Sequence, residues 1–166
     1  MKKVVLNNYY YEYDSIDELE RKDRVLMDAA TQAVEKAYSP YSNYSVGAAL
    51  LLENGTIVIG NNQENVAYPS GLCAERVAIF AASANYPNIP IVAAAVTSKS
   101  KIMEVDTPIT PCGACRQVFA EYENKFGKNI RIILKGNTGK VFIVEGIEHL
   151  LPLIFKANEL KGNNNC

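Results

Sequence analysis

Three cysteines in two short stretches place the strongest demand on how this chain can fold. Leu72-Cys73-Ala74-Glu75-Arg76 supplies one thiol and, two residues later, a carboxyl. Thr110-Pro111-Cys112-Gly113-Ala114-Cys115-Arg116-Gln117 supplies two more thiols. A fold that uses them together must bring both stretches to one point. Three thiolates match a zinc ion whose fourth position is kept for water, the arrangement of a catalytic rather than a structural site. Cys73 and the Cys112/Cys115 pair each open a helical pattern, where unpaired backbone N–H groups and the helix dipole favour the thiolate. C-x-x-C across a first helical turn puts both sulfurs on one side. C-x-E keeps Glu75 close to the metal without making it a ligand, so it stays free to carry a proton. A structural zinc would need a fourth protein ligand. The candidates are His149, far along the chain, and Cys166, the end of a Gly/Asn tail, a poor place for a rigid ligand.

At 166 residues and 48% apolar content, the chain has room for a full core. The division it suggests is an arm over 1–14, one domain over 15–160 and a polar tail over 161–166. The 17 basic and 18 acidic residues give a net charge of −1 with no block of one sign. A nucleic-acid partner asks for a basic patch, so a small molecule is the expected partner. The apolar part of Met1–Leu6 is too short for a signal peptide, and no stretch is long enough to span a membrane. The expected location is the cytoplasm, where cysteines serve metals or catalysis rather than disulfides.

The patterning reads as an α/β fold. Asn8 to Asp14 carries four tyrosines and reads as a loose arm or a packing strap. Ser15-Ile16-Asp17-Glu18 reads as a capping box opening a helix with Leu19, Leu26, Ala30, Ala33, Val34 and Ala37 on one stripe, stopped by Ser39-Pro40. Val46–Leu52 and Ile57–Gly60, joined through Asn54-Gly55, form a hairpin. A helix runs from Cys73 to just before Asn85, and Ile91–Thr97 is a strand buried on both faces. Lys99–Pro108 is a mixed loop that could line the pocket mouth. A helix starts at Pro111 or Cys112, with Cys115, Val118, Phe119 and Tyr122 on one face. Ile130–Leu134 and Val141–Val144 are strands, followed by a short helix over Ile147–Leu151 and a last helical turn around Phe155. The sum is an α/β sandwich with five strands.

Several segments together resemble the small, homotetrameric, zinc-dependent cytidine deaminases. They are Tyr41-Ser42-Asn43-Tyr44-Ser45-Val46-Gly47-Ala48-Ala49-Leu50, Asn62-Gln63-Glu64-Asn65, Cys73-Ala74-Glu75-Arg76 and Pro111-Cys112-Gly113-Ala114-Cys115-Arg116-Gln117-Val118. The resemblance runs from about Tyr38 to about Leu160, and the fold it implies is a three-layer α/β/α sandwich on a mixed five-stranded sheet. It also implies that Cys73, Cys112 and Cys115 bind zinc and that Glu75 moves the proton between water, the base N3 and the departing ammonia. Arg76 would donate to the thiolate sulfurs and draw off charge; the less favoured alternative is a plain ion pair with a carboxylate elsewhere. Asn62 and Glu64 would hold the ribose 3′ hydroxyl, although by themselves they are an ordinary polar loop. Tyr44 stands where the family commonly carries a phenylalanine against base or sugar, and the Ala74 backbone N–H would meet the cytosine O2. Phe155 and Tyr68 would reach the site across subunits; as bare sequence they serve equally as core residues. Arg116 is expected to be structural.

The activity implied is deamination of cytidine and 2′-deoxycytidine in pyrimidine salvage. A deaminase of a related compound such as blasticidin S shares the same centre. A non-catalytic zinc module would leave Glu75 unexplained. Editing of tRNA or DNA fits poorly with the balanced charge and with Cys73 where those enzymes usually place histidine.

Overall fold

The structure, a computed structural model, describes residues 1–156. In chain order the elements are β1 (Tyr11–Tyr13), α1 (Arg21–Val34), β2 (Tyr44–Leu52), β3 (Ile57–Asn61), α2 (Ala74–Asn85), β4 (Ile91–Ser100), α3 (Gly113–Phe126), β5 (Arg131–Lys135) and β6 (Val141–Val144). The strands form one sheet in the order β1-β6-β5-β4-β2-β3. β4 and β5 pair in parallel, and every other neighbouring pair is antiparallel. The mixed sheet is therefore as expected, except that it has six strands rather than five.

The extra strand comes from the tyrosine-rich arm. Tyr11–Tyr13 pairs with β6 at the sheet edge, where its own N–H and C=O groups cover an otherwise open edge. Side chains reinforce the pairing. Tyr9 lies 4.1 Å from the His149 ring and Tyr10 4.5 Å from the Phe142 ring, and Lys140 pairs with Glu12. The arm is a strap in this respect, holding β6 and the turn that follows it.

Alternation along the central strands builds the three layers. On β4, Ala93 and Ala95 join Leu26, Met27 and Ala30 of α1 on one face. Ala94 and Val96 join Ala78, Ile79 and Ala82 of α2 and Phe119 and Ala120 of α3 on the other. The strand is buried on both sides, as its apolar run predicts. Small residues let the helices come close. A Cβ on Gly47 would stand 2.1 Å from the Ala30 carbonyl oxygen, so α1 seats directly on β2. A Cβ on Gly60 would stand 2.4 Å from the Ala78 nitrogen and 2.5 Å from the Ala74 oxygen, so β3 fixes the height of the first turns of α2. The hairpin turns as expected, with Gly55 at φ 84° and the Asn54 side chain accepting from the Thr56 N–H.

Three boundaries depart from the sequence reading. The Ser15–Glu18 capping box is present but closes a separate 3-10 turn, Ile16–Glu18. Leu19 then turns extended to bury its side chain, and α1 begins only at Arg21. α1 ends at Val34 rather than Ser39, because Tyr38 must be extended to exchange backbone hydrogen bonds with Asn62 and Glu64. Among the described residues the helical turn expected around Phe155 is not seen: a 3-10 turn covers Ile147–His149, and residues 150–156 are irregular. Pro152 withholds an N–H and Leu153 takes a positive φ of 55°, both of which break a helix.

The Lys99–Pro108 segment also differs from expectation. None of it lines the cleft: β4 runs on to Ser100, Lys101 donates to the Asn43 carbonyl, and residues 105–107 pack against the Gly136–Gly139 turn. There Asn137 and Thr138 donate to the Val105 carbonyl. A buried carboxylate ties the other end of the α2/α3 layer. One oxygen of Glu123 accepts from the Ile130 N–H at 2.9 Å and the Ile147 N–H at 3.0 Å. Burial holds this carboxyl above its ordinary value. Among the described residues no helix is long and apolar enough to cross a membrane.

Candidate active site

α2 and α3 lie side by side on one face of the sheet, and their first turns meet. Cys73 and Cys112 are the N-cap residues of these two helices, both extended, and neither side chain caps its own helix. Serine or aspartate there would turn inward to the backbone; the thiols instead point at each other. Cys115 sits three residues past its cap, the spacing at which cap and third-position side chains adjoin. The Cys73 and Cys112 sulfurs are 3.8 Å apart, those of Cys112 and Cys115 3.5 Å, and all three lie within 4.8 Å. Sulfurs held tetrahedrally at about 2.3 Å from a zinc ion stand roughly 3.8 Å from one another. The chemistry and close grouping of the three donors fit zinc.

Charge points the same way. The contact with Cys115 lowers the Cys73 thiol to about 5, helped by Arg76, while the same contact and burial push Cys115 up. Three sulfurs this close carry three negative charges only around a cation. Arg76 Nη2 donates to Cys73 Sγ at 3.6 Å, its guanidinium turned to the sulfurs rather than to a carboxylate.

Glu75 follows in the first turn of α2, 5% exposed, and faces the same cleft. Burial raises its carboxyl above the ordinary value, and the Cys73 charge adds to this. The carboxyl is thereby held closer to the point at which a proton is easily taken and returned.

The cleft has a volume of about 880 Å³ and is lined by Tyr44, Asn62, Glu64, Tyr68, Cys73, Glu75, Arg76 and Cys112, with others. That is the size range of small-molecule clefts, about 300–1,000 Å³. Asn62 is fixed by two bonds to the start of β2: Oδ1 accepts from the Val46 N–H and Nδ2 donates to the Tyr44 carbonyl. Glu64 accepts from the N–H groups of Tyr41 and Ser42 and from the Ser42 hydroxyl. Partial burial opposes its charge, but these three donors hold it below the usual carboxylate value. Ala74, expected to meet the substrate, is 0% exposed, backbone included, and is not among the residues that line the cleft. Tyr68 stands at the rim, 78% exposed, its ring 6.4 Å from that of Tyr41.

Other expected residues lie elsewhere. Phe155 is 72% exposed and does not line the cleft of its own chain; Gln117 of α3 donates to its carbonyl. His149 is absent from the cysteine cluster and packs on Tyr9. Cys166 falls outside the described residues. Arg116 is structural: it donates to the carbonyls of Pro111 and Leu150 at 2.7 and 2.6 Å, bracing the chain that leads into Cys112. The sequence reading passed over Tyr41 and Ser42 as partners of Glu64, and Ile109 and Thr110 as cleft wall.

A family model for the cytidine and deoxycytidylate deaminase zinc-binding region matches residues 20–126, which hold all three cysteines and Glu75. The cytidine deaminase of Halalkalibacterium halodurans is 39% identical over 137 residues, covering 82% of this chain and 96% of that protein. That of Sporosarcina psychrophila is 38% identical over 135 residues, covering 81% and 92%. The crystal structure of cytidine deaminase from Burkholderia pseudomallei matches with a TM-score of 0.70 at 38% identity, over 82% of this chain and 100% of that one. The Mycobacterium tuberculosis enzyme matches at 0.63 and 30%, over 82% and 99%. Fold and site are those of a hydrolytic deaminase. The chain belongs to the cytidine and deoxycytidylate deaminase family.

Proposed function

We propose that this chain converts cytidine and 2′-deoxycytidine, with water, to uridine and 2′-deoxyuridine plus ammonia, in pyrimidine salvage in the cytoplasm. The observation that carries this reading is the buried Glu75 carboxyl beside three sulfurs spaced for one zinc ion. Cys73, Cys112 and Cys115 hold one zinc per subunit, which when bound makes water acidic enough to serve as a nucleophile at neutral pH. Glu75 accepts the first proton the water gives up and passes it to the base N3. It then takes the second from the hydroxyl added at C4 and gives it to the amine, which leaves as ammonia while the C4 carbonyl forms. A carboxylate bound to the metal is unable to do this, and the spacing of Glu75 keeps it free. Three thiolates give the centre a formal charge of −1, and Arg76 offsets part of it through Cys73.

The remaining contacts follow from what each group has left to offer. Asn62 keeps one N–H and one lone pair beyond its two bonds to β2, and Glu64, held ionised, accepts from a hydroxyl. Together they suit the ribose 3′ hydroxyl. Tyr44 gives base or sugar a flat face. The first N–H groups of α2 have no helical partner, and that of Ala74 is assigned to the cytosine O2 on the family resemblance. Tyr68 and Phe155 complete the site across subunits in a homotetramer. Their large exposed rings are what an unassembled subunit would show.

The test is loss of ultraviolet absorbance with cytidine, deoxycytidine, cytosine, CMP and blasticidin S, before and after chelation. The reading expects turnover of the two nucleosides, abolished by chelation and restored by zinc. Turnover of blasticidin S alone, or turnover indifferent to chelation, overturns it.

A further inference from the structure

The core-facing stripe of β4 changes character as it nears the cleft. Ala94 and Val96 face α2 and α3. The next residue on that face is Ser98, 1% exposed and pairing across the sheet with Val46, itself part of the cleft wall. A stripe serving only the core would stay apolar, since a buried hydroxyl must find a partner. The partner of Ser98 is Tyr44, its diagonal neighbour on β2, whose hydroxyl lies 2.8 Å from Ser98 Oγ. The ring of Tyr44 lines the cleft while its hydroxyl reaches back into the sheet.

We propose that Ser98 is a positioning residue of the substrate site: its hydroxyl fixes the Tyr44 ring against the cleft, so nucleoside affinity depends on a side chain beneath the pocket wall. An aromatic ring without an anchor keeps freedom to turn about its side-chain torsions, and a nucleoside must then pay the cost of ordering it. Phenylalanine at this position offers no hydroxyl to hold. The pair Tyr44–Ser98 is thus a unit, in which either hydroxyl is without purpose when the other is removed. The proposal rests on the reading of Tyr44 as a wall of the nucleoside site.

The experiment is steady-state deamination of cytidine by Ser98→Ala, Tyr44→Phe, the double variant and Tyr44→Ala, with the melting temperature of each. Ser98→Ala and Tyr44→Phe should each raise KM by about threefold to tenfold, the worth of one ordinary hydrogen bond, with kcat within about twofold. The double variant should be no worse than the worse single one, because both remove the same bond. Effects that multiply in the double variant overturn the proposal. So does a Ser98→Ala variant that melts lower but keeps the wild-type KM, which is the behaviour of a core residue. Tyr44→Ala separates the two levels. If it leaves KM unchanged, the reading of Tyr44 as substrate wall fails and the proposal with it; if it raises KM while Ser98→Ala does not, only the role of Ser98 fails.

Discussion

The cysteine centre and the rim of the same cleft are built by opposite means. At the centre, Cys73, Glu75, Cys112 and Cys115 all stand on the first turns of two packed helices. Their spacing is set by helix geometry and by the close approach of β3 to α2 at Gly60. At the rim, Tyr68 opens a short 3-10 turn with its ring in solvent; Phe155, away from the cleft of its own chain, is exposed on an irregular segment. The three sulfurs and Glu75 meet within one chain, whereas the proposed rim draws on a second. Chemistry that needs sub-ångström placement is given to rigid elements, and contacts that must open for substrate are left to loops.

Perturbing each region in turn should separate them. The largest effect is expected from Cys112→Ser, which removes a ligand from the centre. Zinc content per chain should fall close to zero and turnover by more than about a thousandfold. Full zinc occupancy would remove Cys112 from the ligand set. Glu75→Ala should keep its zinc and lose about 10²–10⁴ in kcat, the usual worth of a general acid–base group. Retained turnover would take Glu75 out of the mechanism. At the rim, Phe155→Ala should raise KM about threefold to tenfold, the size of one aromatic contact, in an intact oligomer with full zinc. Unchanged kinetics, or a fully active monomer, would make the rim self-sufficient.

The smallest effect lies away from both regions, at Glu123, and concerns pH. Burial raises its carboxyl above 4.5 in the fold. A carboxyl with a higher pKa folded than unfolded favours the fold while protonated, and that contribution is lost as pH rises through the folded value. Melting temperature followed upward from pH 4.5 should therefore fall more in the wild type than in Glu123→Gln, which has no proton to lose. Parallel profiles would show that Glu123 does not contribute in this way.

What could be read in the sequence follows the same division. The three cysteines, Glu75, the Asn54-Gly55 hairpin and the buried β4 run are all local patterns in which spacing and geometry coincide. The misreadings arose where tertiary contacts overruled a local signal. A valid capping box at Ser15 was spent on a 3-10 turn because Leu19 had to reach the core. α1 stopped short because Tyr38 was needed by Asn62 and Glu64. The sixth strand was hidden because a tyrosine-rich arm becomes a strand only once β6 offers an edge. Ser42 and Ser98 gave little signal, since a lone serine carries no periodicity; their roles appear only with Glu64 and Tyr44 beside them.

The contrast between a centre held within one chain and a rim shared between chains is tested most directly by subunit complementation. Glu75→Ala and Phe155→Ala subunits are co-expressed so that they assemble together, and kcat/KM for cytidine is compared with that of each variant alone. The account predicts recovery: a Phe155→Ala subunit still has Glu75 and borrows the ring of its neighbour, so mixed assemblies exceed the average of the two parents. A mixture that gives only that average would contradict it, and would place the whole site within one chain.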